Sequence, residues 1–207
     1  MMNYLAHLYL SGSNKDLIIG NFIADHVKGK AFLDYPKSIQ NGIFLHRKID
    51  HFTDHHKLFK KNVSFLFPEF RHYSRVIVDM FFDHFLAAQW ELYHPNSLKE
   101  FSSQFYQLMQ EYSGNLPDKT KKILPIMSKC NWLLTYRSLE GLRDILFQMS
   151  QRTRFDSNMT LALVELEKNY SKISLDFNIV FSKLIIFFSR RKRNLARFFN
   201  HFLSFYR

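Results

Sequence analysis

Glycine, proline and cysteine are scarce in this sequence, with six glycines, five prolines and one cysteine among 207 residues. A single cysteine excludes a disulfide framework within the chain and is typical of a protein from a reducing compartment. So few turn-forming residues, together with the scarcity of alternating Val, Thr and Ile, disfavour a β-rich fold. The sequence therefore predicts an all-α protein.

Long apolar runs are also missing. The run at Ile185–Phe188 is far shorter than the roughly 20 residues that a membrane-spanning helix needs. The N-terminal segment has neither the basic leader nor the small-residue cleavage site of a secretory signal. We therefore expect a cytoplasmic protein whose N-terminus is part of the folded domain.

Hydrophobic residues make up 46% of the chain and aromatic residues 17%, which is enough for a sizeable core. We expect one compact helical domain over residues 1–176 and a basic, aromatic C-terminal helix over residues 177–207. No acidic residue follows Asp176. The apolar face of this last helix could pack on the domain, which we favour, or contact a membrane surface or an acidic partner.

Acidic residues are the minority among the charges. The chain has 29 Lys and Arg against 18 Asp and Glu, for a formal net charge of +11. This excess favours an anionic partner, such as an acidic protein, a nucleic acid, a membrane surface or a phosphorylated metabolite. Because no recognised nucleic-acid motif occurs, we expect no nucleic-acid partner.

Three predicted helices carry a pair of polar residues four positions apart on an otherwise apolar face. In the segment 41–54, the apolar stripe at Ile39 and Ile43 continues onto His46 and Asp50. Burying an unpaired carboxylate costs on the order of several kcal/mol, which a shared cation would offset. The three pairs are Asn21/Asp25, His46/Asp50 and Asp79/Asp83.

Histidine combined with carboxylates is a ligand set typical of Mn²⁺, Mg²⁺ or Fe²⁺ and not of a thiolate zinc site. Helices that pack side by side direct such residues into a shared interior. A metal there would polarise a phosphoryl oxygen and lower the pKa of a bound water to about 7. Arg47, next to His46, could bind a phosphate through two hydrogen bonds, or pair with Asp50 or Asp54 instead.

These patterns predict a set of site residues. Asn21 would orient a ligand or the attacking water. The catalytic candidates are Asp25, His46, Arg47 and Asp83. The candidate metal ligands are His7, Asp25, His46, Asp50, Asp83 and His84.

Four segments resemble, in order and spacing, the successive motifs of the acyl carrier protein phosphodiesterase family. They are NYLAHLYLS, GNFIADHVKG, GIFLHRKIDHFTD and VDMFFDHFLA. Later segments, WLLTYRSLEGL and MSQR, extend the resemblance over about residues 2–173. The family is similar to the HD-type metal-dependent phosphohydrolases, although every Asp-His adjacency in this chain has the aspartate first.

The resemblance implies an all-α, HD-phosphohydrolase-like fold and a hydrolase activity. Its substrate would be the phosphodiester that joins 4′-phosphopantetheine to a serine of acyl carrier protein. The products would be apo-acyl carrier protein and 4′-phosphopantetheine, and the implied cofactor is Mn²⁺. Since acyl carrier proteins are strongly acidic, the basic charge of this chain agrees with that partner.

Two other functions stay open at this level. An HD-like hydrolase of a nucleotide or small phosphodiester would use the same metal site. A non-catalytic binder of anionic partners would show salt-sensitive binding without metal dependence. Carboxylates on buried helix faces would have no evident use in such a binder.

Overall fold

The computed structural model describes residues 4–151, 153 and 157–192, with side chains described up to residue 188. Over these residues the chain forms α-helices and short 3₁₀ turns and contains no strand, which confirms the all-α prediction. The helices are α1 Tyr4–Ser11, α2 Lys15–Ile23, α3 Lys37–His55, α4 Lys57–Phe70, α5 Ser74–Ala88, α6 Leu98–Glu111, α7 Asp118–Lys129, α8 Trp132–Thr135, α9 Leu139–Ser150, α10 Ala162–Lys168 and α11 Tyr170–Lys192.

The sequence predicts a helix that begins near Asn14–Asp16 and stops near Gly29, and the structure confirms its start but not its end. Asn14 caps its start, because the Asn14 side chain accepts a hydrogen bond from the backbone N–H of Leu17. The predicted end near Gly29 is wrong, since α2 ends at Ile23 and a 3₁₀ turn, Ala24–His26, follows. Asp25 therefore lies in this tighter turn and not on the helix itself.

Helices α2 and α3 cross at a pair of glycines. A Cβ atom on Gly20 would lie 2.1 Å from the carbonyl oxygen of Ile39 and 2.9 Å from the Cα of Gly42. Real Cβ atoms do not approach other atoms so closely, so this contact requires glycine. The crossing brings Asn21, which follows Gly20, against His46, one turn beyond Gly42.

Helix α5 runs through the centre of the core. Its residues from Ile77 to Ala87 are all buried, including Phe81 and Phe85, which are fully buried. Such all-round burial is typical of a helix that is covered by its neighbours on every side. Helices α1, α4, α9 and α11 pack against it.

Helix α11 continues through the predicted boundary between residues 176 and 177. Phe177, Val180 and Phe181 are buried, and the helix packs against α3, α4 and α5. Asp176 accepts hydrogen bonds from Lys61. The division of the chain into two units stays a prediction, and residues 193–207 of the predicted basic tail lie outside the described residues. Among the described helices, none combines the length and the apolarity needed to cross a membrane.

Candidate metal centre

Four of the predicted site residues meet at one point, and they come from three helical segments. His7 lies on α1, Asp25 in the 3₁₀ turn after α2, and His46 and Asp50 on α3. His46 Nε2 lies 3.3 Å from Asp25 Oδ1 and 3.3 Å from Asp50 Oδ2, and His7 Nε2 lies 3.2 Å from Asp50 Oδ1. The two imidazole rings stack with their centroids 4.1 Å apart.

The spacing of these side chains suits a single cation. One ligand atom each from His7, His46 and Asp50 lies within 4.8 Å of the other two. The two histidines are buried, whereas the side chains of Asp25 and Asp50 are 21% and 20% exposed. The cluster therefore opens towards solvent on its carboxylate side, where a substrate could enter.

Asn21 orients both histidines and is itself fully buried. Its Oδ1 lies 2.9 Å from His7 Nδ1 and 3.0 Å from His46 Nδ1, and its backbone carbonyl lies 2.9 Å from His46 Nδ1. The Asn21 Nδ2 donates to the His7 carbonyl and to Ser11 Oγ, which directs Oδ1 towards the rings. Both Nδ1 atoms therefore carry the proton and donate it to oxygen, so both Nε2 atoms are directed at the carboxylates.

The Nε2 atom of His46 provides a test of whether the residues fit a metal ion. It is buried and has no hydrogen-bond partner of acceptable geometry among the described residues, although two carboxylate oxygens lie 3.3 Å away. An unsatisfied buried nitrogen of this kind is rare in proteins. A cation between the two imidazoles and the carboxylates would satisfy it, and this mixed nitrogen and oxygen donor set suits Mn²⁺ or Fe²⁺. The residues thus fit a divalent metal.

The charges in the cluster perturb the pKa values of its members. Burial and the neighbouring His46 lower the pKa of His7. Burial alone would lower the pKa of His46 too, but the carboxylates of Asp25 and Asp50 outweigh burial and raise it to about 9. Burial would raise the pKa of Asp50, but the two histidines hold it well below its ordinary value. Without a metal, the cluster therefore retains one positive charge on His46 at neutral pH, between ionised carboxylates.

The structure places Asp83 outside this cluster. Its Oδ2 accepts a hydrogen bond from the backbone N–H of Leu5 at 2.8 Å, and its Oδ1 accepts one from Ala6 at 2.9 Å. These N–H groups belong to the first described turn of α1, where they point out of the helix end, so Asp83 caps this end of α1. Burial raises the pKa of Asp83 to about 7, and the two backbone hydrogen bonds oppose that rise.

His84 also has other partners. Its Nδ1 donates to the carbonyl of Tyr136 at 2.8 Å, and its Nε2 lies 2.9 Å from the Tyr170 hydroxyl. Both ring nitrogens are thus engaged in hydrogen bonds, one to the residue that follows α8 and one to the first residue of α11. Asp83 and His84 were predicted as metal ligands, but the polar contacts of both are made elsewhere, and we leave them out of the proposed ligand set.

Arg47 has neighbours that differ from the acidic partners considered in the sequence. Arg47 donates to the carbonyl of Val27 at 3.4 Å, and its guanidinium lies 5.4 Å from the centre of the Phe32 ring. It forms no ion pair within the described part of the chain. Asp54 pairs instead with Arg75. Binding of phosphate by Arg47 stays a prediction.

A family model described as acyl carrier protein phosphodiesterase matches residues 2–184 of the chain. The chain belongs to the acyl carrier protein phosphodiesterase family. The motifs cover about residues 2–173, and the family match extends eleven residues further, to a point within α11. The family resemblance predicted from the motifs is therefore confirmed.

Relatives named acyl carrier protein phosphodiesterase cover most of the chain. The relative from Yersinia pestis is 28% identical over 173 residues, which are 83% of this chain and 90% of the relative. The relative from Photorhabdus laumondii is 27% identical over 194 residues, or 93% and 96% of the two chains. The relative from an Enterobacter species, strain 638, is 31% identical over 158 residues, or 75% and 82%. No solved structure matches this family member, so the likeness to HD-type phosphohydrolases stays a prediction.

Proposed function

We propose that this member of the acyl carrier protein phosphodiesterase family releases 4′-phosphopantetheine from holo-acyl carrier protein by metal-assisted hydrolysis. Family membership makes the chain a hydrolase, a phosphodiesterase of acyl carrier protein. The observation that supports a metal-assisted reaction is the buried Nε2 of His46. It has no hydrogen bond within the described residues, although two carboxylates and a second imidazole surround it.

His7, His46, Asp50 and Asp25 would hold the metal, which we propose to be Mn²⁺, with Mg²⁺ and Fe²⁺ as alternatives. When bound, such an ion supplies a water of lowered pKa and polarises a phosphoryl oxygen. Asn21 keeps each histidine in the tautomer whose Nε2 is free to bind the ion.

The partly exposed carboxylates define the side from which substrate approaches. His46 holds the pKa of Asp25 below its ordinary value although burial opposes this, so Asp25 is ionised at neutral pH. An ionised Asp25 can accept a proton from the attacking water. Arg47 lies next to His46 on α3, and we propose that it contacts a non-bridging oxygen of the phosphodiester.

The decisive experiment measures the mass of the carrier protein. Purified enzyme with Mn²⁺ should reduce the mass of holo-acyl carrier protein by that of the phosphopantetheine group. A chelator should abolish the reaction, and restored Mn²⁺ should recover it. An unchanged carrier mass with Mn²⁺, Mg²⁺ and Fe²⁺, or a reaction that the chelator does not affect, would contradict the proposal. Hydrolysis of nucleotides alone, in a parallel panel, would favour an HD-like hydrolase of small phosphodiesters.

A further inference from the structure

One side of α7 is a stripe of exposed basic residues. Lys119, Lys122, Ile126 and Lys129 follow one another at helical spacings and are all exposed, and we call this stripe the lysine face. The opposite side of α7 contains Thr120 and Met127, which are fully buried. Packing of that buried side determines that the lysine face is directed outwards.

Helix α7 is attached directly beside the candidate metal centre. The Nδ1 atom of His26 and the Oγ1 atom of Thr120 form a hydrogen bond of 2.7 Å. His26 follows Asp25 in the same 3₁₀ turn, so α7 begins next to a carboxylate of the cluster. Lys28 and Lys30 continue from this turn and are exposed as well. Lys119 directly precedes Thr120, and Lys28 follows His26 by two residues, so these two lysines are the ones nearest the site.

These lysines lie together on two neighbouring segments, whereas Lys60, Lys99 and Lys172, which also form no ion pair among the described residues, lie on three separate helices. Several basic side chains on other helices have acidic partners: Lys61 with Asp176, Arg75 with Asp54, and Arg137 with Glu91. Within the part of the chain that the structure describes, no ion pair is formed by Lys28, Lys30, Lys119, Lys122 or Lys129. A group of neighbouring unpaired positive charges repels itself and raises the local positive potential.

We propose that the lysine face, together with Lys28 and Lys30, is the surface on which the acidic carrier protein docks. The inference rests on the proposed function and adds the location of the protein substrate. A carrier held there lies beside Asp25, so its modified serine can reach the carboxylate side of the cluster. The lysines would pair with acidic residues of the carrier, and Ile126, which is 40% exposed, would provide an apolar contact among them.

Binding of apo-acyl carrier protein without metal tests this surface independently of hydrolysis. One variant combines Lys119→Glu, Lys122→Glu and Lys129→Glu. The control combines Lys60→Glu, Lys99→Glu and Lys172→Glu, three exposed residues on α4, α6 and α11 that change the net charge equally. We expect the first variant to bind the carrier at least roughly tenfold more weakly at low salt, and the control to bind within about threefold of wild type.

Hydrolysis of bis(4-nitrophenyl) phosphate with Mn²⁺ checks that the lysine-face variant keeps an intact centre. Unchanged hydrolysis together with weak carrier binding would support the docking surface, even if the carrier proved not to be cleaved. A triple lysine-to-glutamine variant should weaken carrier binding less than the charge reversal does.

Several results would overturn the proposal. These are equal binding by both glutamate variants, no carrier binding by wild type, or loss of small-substrate hydrolysis in the lysine-face variant. Loss of binding to anionic vesicles or DNA, with carrier binding unchanged, would identify a different partner and would overturn it as well.

Discussion

Helices α3 and α5 carry similar polar residues on buried faces, yet the protein uses them differently. On α3, His46 and Asp50 meet His7 and Asp25, and a buried nitrogen remains without a hydrogen bond among the described residues. On α5, both carboxylate oxygens of Asp83 are occupied by backbone N–H groups of α1. Oδ2 of Asp79, also on α5, is buried and has no hydrogen-bond partner among the described residues, so an unsatisfied atom alone does not identify a reactive site. What distinguishes α3 is that His46 and Asp50 converge with His7 and Asp25 from other segments.

The largest effect should follow removal of a cluster carboxylate. Asp50→Ala takes away the group whose two oxygens face His7 and His46. We expect metal-dependent hydrolysis of holo-acyl carrier protein to fall at least about 100-fold, because a direct ligand matters more than the residues that support it. Mass spectrometry of the carrier measures the rate, and circular dichroism verifies the helices. A variant with nearly normal rates would remove α3 from the proposed chemistry.

Asn21 should have the next largest effect. Asn21→Ala releases both histidine rings from the oxygens that orient them, so metal affinity and activity should fall between about 10- and 100-fold. Asn62→Ala is a matched control, since Asn62 is also buried but bonds Asp176 and the Leu58 carbonyl. Calorimetric titration with Mn²⁺ should separate the two variants. Equal affinities would contradict the orienting role of Asn21.

Asp83→Ala should affect stability more than chemistry. It leaves two buried N–H groups of α1 without acceptors, and we expect the free energy of unfolding to fall by about 2 kcal/mol. Asp83→Asn keeps one acceptor and should lose less. Urea denaturation gives the stability, and Mn²⁺ affinity is measured on the folded protein. A strong loss of affinity at unchanged stability would show that α5 belongs to the metal centre, and the contrast with α3 would then fail.

Metal binding at the α3 cluster should also depend on pH. The carboxylates raise the pKa of His46 to about 9, so below that pH a proton competes with the metal at Nε2. The apparent Mn²⁺ affinity should therefore rise about tenfold per pH unit between pH 7 and 8.5. Titrations at several pH values measure it, with His46→Gln as a control that should show a flatter dependence.

The metal-free protein should show the opposite trend in stability. The folded pKa of His46 lies above the value of about 6.5 expected in the unfolded chain. Its contribution to stability is then fully present below pH 6.5 and is lost as the pH rises through about 9. Thermal unfolding with and without Mn²⁺ across this range would reveal the two trends, and parallel curves would contradict the raised pKa.

Sequence patterns predicted the helical fold, and helical spacing placed His46 and Asp50 on one face of α3. His7 and Asp25 were also among the six predicted ligands, although His7 belonged to none of the spaced pairs and Asp25 lies in a 3₁₀ turn. The patterns did not predict the partners of Asp83, since these N–H groups lie 77 and 78 positions away and become neighbours only through packing. The early end of α2 was missed for a related reason. A 3₁₀ turn before Gly29 has no distinct composition, and the hydrogen bond between His26 and Thr120 that accompanies it is again a tertiary contact.

The glycine contact between α2 and α3 determines the dimensions of the cluster. At this crossing the two backbones touch without any intervening side chain, and a Cβ on Gly42 would lie 2.5 Å from the Leu17 carbonyl oxygen. The separation of Asn21 from His46 is therefore set by the thickness of the peptide backbone. The distance between the two helices cannot be increased gradually. Even the smallest substitution, glycine to alanine, adds a methyl group for which there is no space, so it would push α2 and α3 apart.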